Sequence, residues 1–132
     1  MWGIYIGVGA WLCALVWCDL RRGILPHCLT LPGIALWWVW ALSTQPWWMM
    51  GGVAWAALYL VVGWLVAGVG GGDVKLAASL GVLACAGGGV RGWCAAVVGA
   101  SVLSLASMAL LRRTRVPHGP SMVLSTLCAA AM

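Results

Sequence analysis

The chain has 132 residues, of which 64% are hydrophobic and 7% charged, against a charged fraction of about a quarter in ordinary soluble domains. A composition this poor in charge cannot wrap a small core in a polar surface, which excludes a water-soluble globular protein and makes lipid the expected solvent. Seven basic side chains face two acidic ones, so Asp19 and Asp73 are the only carboxylate side chains available for any chemistry that needs them.

A first apolar run extends from Trp2 to Cys18 and closes at Asp19-Leu20-Arg21-Arg22-Gly23-Ile24-Leu25-Pro26-His27. No basic residues precede it and no small-residue cleavage site follows it, so it reads as a retained helix rather than a cleaved signal peptide. The second run covers about Leu29 to Leu42, with Pro32 expected in its first turn, where the missing N–H has no intrahelical partner. Ser43-Thr44-Gln45-Pro46 is a turn, and Trp47 to about Val69 is long enough to cross a hydrocarbon core of about 30 Å. Gly70-Gly71-Gly72-Asp73 interrupts the pattern. A fourth segment follows from Val74 to Ala86, then a turn at Gly87-Gly88-Gly89 with Arg91, and a fifth from Gly92 to Leu111. Arg112-Arg113-Thr114-Arg115-Val116-Pro117-His118-Gly119-Pro120 separates it from a last apolar stretch, short like the fourth, that ends at Met132. The expected fold is an all-α integral membrane protein, a bundle of about six transmembrane helices forming a single domain over residues 1–132.

Cytoplasmic loops collect Lys and Arg. Arg21, Arg22, Lys75, Arg112, Arg113 and Arg115 fall in alternate loops, and Arg91 alone falls on the other side. Both termini are therefore expected outside the cytoplasm, in the cytoplasmic (inner) membrane of the cell. The same assignment brings Asp19 and Asp73, distant in sequence, to the cytoplasmic face. Trp2, Trp47, Trp48 and Trp93 fall at expected outer helix ends and Trp17 at an inner end, as interfacial indoles do. Trp37, Trp38 and Trp40 read as lipid-facing or packing residues. Cys13, Cys18, Cys28, Cys85, Cys94 and Cys128 show neither a C-x-x-C pair nor ligand spacing with a histidine, and read as small buried hydrophobes. No nucleic-acid motif stands out; the partners expected from this composition begin with membrane lipid.

Carboxylates at or in a membrane are costly and usually mark a functional interior. If two approach a shared water, they cannot both ionise easily and hold one proton between them. One then acts as general base toward water and the other as general acid toward a carbonyl, the apparatus of peptide hydrolysis. The plainer alternative is that each Asp pairs with Arg21, Arg22 or Lys75. Three glycines before Asp73 imply a break and a new helix whose positive dipole end faces the carboxylate. Such broken backbone is tolerated where it lines protein or a watery cavity, though Gly68-x-x-x-Gly72 would equally serve close helix packing.

Gly70-Gly71-Gly72-Asp73-Val74-Lys75 resembles the G-x-G-D-x-K motif of the type IV prepilin peptidases, a branch of the intramembrane GxGD aspartyl proteases. The segment from Asp19 through Arg21-Arg22 to Leu25-Pro26-His27 is similar to that family's Asp, basic pair and I-P-N-like turn, with His27 where Asn is usual. Val116-Pro117-His118-Gly119-Pro120 resembles the proline-glycine-proline turn before the family's last helix. The resemblance implies an aspartic endopeptidase, with Asp19 and Asp73 catalytic and Gly70, Gly72, Lys75, Pro26, Pro117, Gly119 and Pro120 supporting the site or the substrate. The implied substrate is a type IV prepilin or pseudopilin, cut after a glycine to release its basic leader at the cytoplasmic face. The implied chemistry needs no metal or organic cofactor. Larger members carry a cytosolic zinc insertion with paired C-x-x-C motifs and also N-methylate the product; no such insertion is expected here, so peptidase activity alone is. An ion or proton pathway subunit, or an inactive structural subunit of a pilus or secretion machine, are the competing readings; acids bordering helix ends and basic loops disfavour the first, and retention of both acids disfavours the second. The implied oligomeric state is open.

Overall fold

The computed structural model describes residues 2–66 and 69–131. Five α-helices follow one another: α1 (Trp2–Arg22), α2 (His27–Thr44), α3 (Trp48–Val66), α4 (Gly71–Leu111) and α5 (Gly119–Ala130). α4 is one helix only in continuity, because Gly89 breaks it with φ 59° and ψ −149°, a backbone region essentially reserved for glycine. The arms on either side, residues 71–88 and 90–111, fold back so that Gly92 packs on the Ala84 carbonyl. The expected turn over Gly87-Gly88-Gly89 thus shrinks to a single residue. Gly87 and Gly88 are helical and give their space to the end of α5: a Cβ on Gly87 would lie 2.6 Å from Ala130 Cβ, and one on Gly88 would lie 2.8 Å from the Ala129 carbonyl oxygen.

The other helix ends follow from local chemistry. Gly23 stops α1 at φ 61°, with its N–H donating to the Asp19 carbonyl at 2.8 Å, the left-handed terminator that glycine adopts without a Cβ penalty. α2 begins two residues earlier than expected, at His27, and this moves Pro32 from the first turn into the second. There the proline cannot donate, so the helix forgoes the bond to the Cys28 carbonyl. At the end of α4, Arg112 turns left-handed at φ 48° while the Arg112 and Arg113 N–H groups close onto the Ala109 and Met108 carbonyls.

α4 is the centre of the bundle and packs most extensively against α5 and α3, then α2; α1 lies against α5 and α2. Its core joins Leu12 and Leu15 of α1 to Trp55 of α3, Leu76 and Leu80 of α4 and Met122 of α5. Trp37, Ala41 and Val82 form a second cluster. α1 is tied to α2 where the Trp11 indole donates to the Leu29 carbonyl at 2.9 Å and Gly33 lies beneath the same ring.

Outside this core the surface is apolar: Trp64 is 86% exposed and Leu110 84%, with leucines and valines of every helix beside them. Such a surface fits a hydrocarbon solvent and not water, and α3 and α4 are each long and apolar enough to cross a membrane. Lipid as solvent also corrects the expectation for the cysteines. Cys85 is buried, whereas Cys13, Cys28, Cys94 and Cys128 are exposed and Cys18 is partly so, because an apolar side chain has no need of a protein interior when the solvent is itself apolar. Among the tryptophans, Trp17 is exposed with the Arg21 guanidinium 4.4 Å from its ring centre, Trp37 is buried, and Trp38 donates to the Ala78 carbonyl at 3.1 Å. The Trp2 ring lies outside the described residues, as does Gly68, and with it the packing expected of the Gly68–Gly72 spacing.

Candidate active site

Asp19 lies one turn from the end of α1 and is only 5% exposed. Burying a carboxylate without partners is expensive, and its partner comes from the far end of the chain: the Gly119 N–H, first in α5, donates to Asp19 Oδ2 at 2.8 Å. The approach depends on the glycine. A Cβ at position 119 would sit 2.6 Å from that oxygen. Pro120 follows at the start of α5, where its missing N–H costs no intrahelical bond, and Pro117 is half-buried in the approach to it.

Asp73 occupies the first turn of α4, half-buried, with its N–H donating to the carbonyl of the N-capping Gly70 at 3.0 Å. An acidic side chain is favoured there by the unpaired N–H groups of the helix start. Gly70 leaves ordinary van der Waals room above the carboxylate, since a Cβ there would stand 3.6 Å from Asp73 Oδ2. Gly72 has less room. Leu25, buried in the α1–α2 connection, crosses it so closely that a Cβ would meet Leu25 Cβ at 2.9 Å. That crossing draws the end of α1 toward the start of α4. Asp19 and Asp73 consequently stand near enough for the charge of one to act on the other, in agreement with the convergence expected from the loop charges.

Lys75 and Arg21 make other contacts. Lys75 Nζ donates to His27 Nδ1 at 3.0 Å, and Arg21 stacks on Trp17, so neither Lys75 steadying Asp73 nor a simple Asp–Arg21 pairing describes the contacts made. Pro26, half-buried, caps α2 and accepts the Thr30 N–H and hydroxyl.

Three residues join the site without a motif to announce them as a group. His118 Nε2 is 2.6 Å from Tyr59 Oη on α3, and its Nδ1 bonds the Ser104 hydroxyl on the second arm of α4. Burial pushes the His118 ring below the ordinary histidine range, and the nearby Asp19 charge only partly opposes this. Tyr59 is buried, edge-on to the fully buried Trp55. A histidine in the last loop was visible in sequence, but its partners lie 59 and 14 residues away, and no spacing rule connects them.

The arrangement offers two carboxyl groups from different helices beside a helix start, one held by a backbone N–H and one half-open. A family model described as the type IV leader peptidase family matches residues 6–111, a span that includes Asp19, Asp73 and Lys75 and ends before His118 and Gly119. Comparisons with curated proteins and with solved structures find no match.

Proposed function

The chain belongs to the type IV leader peptidase family, and we propose that it is an intramembrane aspartic endopeptidase that removes the basic leader from type IV prepilins or pseudopilins. Cleavage follows a glycine at the cytoplasmic face of the inner membrane. The observation that carries this reading is the convergence of the chain's only two acidic side chains, Asp19 and Asp73, at one place in the bundle.

Brought to a shared water, the two carboxyls hold one proton between them. The ionised member takes a proton from water as the water oxygen attacks the scissile carbonyl, while the protonated member donates to the carbonyl oxygen. The tetrahedral intermediate then collapses: the C–N bond breaks, the departing nitrogen receives the proton taken from water, and the other carboxylate recovers its own. Hydrolysis is balanced by water and the peptide alone. Gly119 supports one carboxylate through its N–H, and the half-exposed position of Asp73 leaves that side open to an extended substrate strand. Membrane placement completes the proposal: six spans, obtained by counting the two arms of α4 separately, with both termini outside the cytoplasm.

Co-expression with a prepilin from the same genome tests the reading. Asp19→Asn and Asp73→Asn are each expected to leave the precursor uncut, with rates down by at least about 10³-fold, within the range of lost general acid–base catalysis. Either variant cleaving at the normal rate sinks the assignment. Reporter fusions at both termini and at residues 23, 46, 68, 90 and 115 test the orientation.

A further inference from the structure

The loop between α4 and α5 carries the residue that meets Asp19, so whatever fixes this loop fixes the carboxylate. Residues 112–118 hold no helix, yet His118 at their end is gripped from two sides, by Tyr59 of α3 at Nε2 and by Ser104 of α4 at Nδ1. Each hydroxyl can donate or accept, so the pair satisfies both ring nitrogens in either tautomer. The next peptide N–H in the chain, that of Gly119, is the one bonded to Asp19. Three helices therefore meet through two consecutive residues: α3 and α4 hold the ring, and the adjoining backbone holds α1's carboxylate.

We propose that His118 is a positioning residue for Asp19, setting the Gly119 N–H on the carboxylate through its bonds to Tyr59 and Ser104. This rests on the reading of Asp19 and Asp73 as the catalytic pair. His118 touches neither carboxyl group by a hydrogen bond of its own; it acts through the peptide that follows it. A hydrophobic side chain at position 118 would fill the space and leave two hydroxyls and the loop unheld.

The test uses the full-length enzyme in membranes or detergent with a prepilin substrate, rates being normalised to the folded fraction measured by thermal unfolding. His118→Leu is expected to lower kcat about 10- to 100-fold, the scale of one hydrogen bond to a charged group, with KM within about twofold, as for an interaction made in the transition state. His118→Gln, whose amide supplies a donor and an acceptor, is expected to recover most of the rate. The double variant Tyr59→Phe with Ser104→Ala is expected to reproduce His118→Leu. Wild-type kcat in His118→Leu overturns the inference, as does a change confined to KM or a Gln variant no better than Leu. Asp19→Asn is run beside them: if it stays active, the catalytic reading itself has failed, whereas an inactive Asp19→Asn with a normal His118→Leu removes the positioning role alone.

Discussion

Toward the bend at Gly89, α3 lies on α4 at backbone distance. Gly51 and Gly52 face Gly81 and Ala78, with Gly81's missing Cβ directly over the Gly51 carbonyl and 2.7 Å from Gly52 Cα, and the Trp93 indole donating to the Gly51 carbonyl at 2.8 Å. At the opposite end of the bundle, the helices are joined through polar side chains: Asp19 to Gly119, His118 to Tyr59 and Ser104, Lys75 to His27. The first region uses small residues to gain dispersion contacts, which remain effective where lipid cancels the hydrophobic drive between helices. The second accepts the cost of buried polar groups and offsets it with complementary partners. Glycine appears in both, serving shape in one and chemistry in the other.

Identical substitutions in the two regions should therefore fail differently. Gly119→Ala places a Cβ 2.6 Å from Asp19 Oδ2, and the carboxylate must move away from its N–H donor. Misplacement on this scale costs about 10²-fold in rate, so prepilin cleavage should fall by about that factor with the thermal midpoint little changed. Gly81→Ala meets backbone atoms that no rotamer change can remove, and a stability loss of about 1–3 kcal/mol is expected, as for overpacking. Cleavage per folded molecule should survive. If Gly119→Ala unfolds the protein while Gly81→Ala only slows it, the division between the regions is wrong.

A smaller effect separates the regions by pH. Burial holds His118 below its ordinary value of 6.5. Above that value the ring is neutral in folded and unfolded chains alike; as pH falls below it, the unfolded chain takes a proton that the folded one does not, and stability drops until the folded ring also protonates. Thermal unfolding in detergent from about pH 7.5 down to about 5.5 should show a steeper decline for the wild type than for His118→Gln, and parallel declines would remove His118 as the cause. The least effect belongs to Gly71→Ala, whose new Cβ meets nothing within 4 Å; it should alter stability by no more than about 0.5 kcal/mol.

The helices were legible because the apolar runs are long and their interruptions are glycine, proline and charge. The two arms of α4 match the fourth and fifth runs, although the structure joins them through Gly89 alone. Asp19 and Asp73 stood out for a different reason: they are the only two acids of the sequence, and the alternating basic loops predict one side for both. What lay beyond reach were contacts that depend on the rotation of one helix against another. Gly119 was visible as part of a turn, but its N–H on Asp19 joins residues 100 apart. Lys75 sits two positions from Asp73, yet the pitch of α4 and the entry of α2 give its ammonium to His27. Pro32 was misplaced by one turn because no side-chain cap marks the start of α2.

α5 has a further consequence through its length. Its first N–H rests on Asp19 and its last turn rests on Gly87 and Gly88 beside the bend of α4, so it is a spacer held at both ends. The twelve residues from Gly119 to Ala130 measure about 18 Å at a rise of 1.5 Å each. Held between those two contacts, it sets how far along the bundle Asp19 stands from the bend of α4 at Gly89.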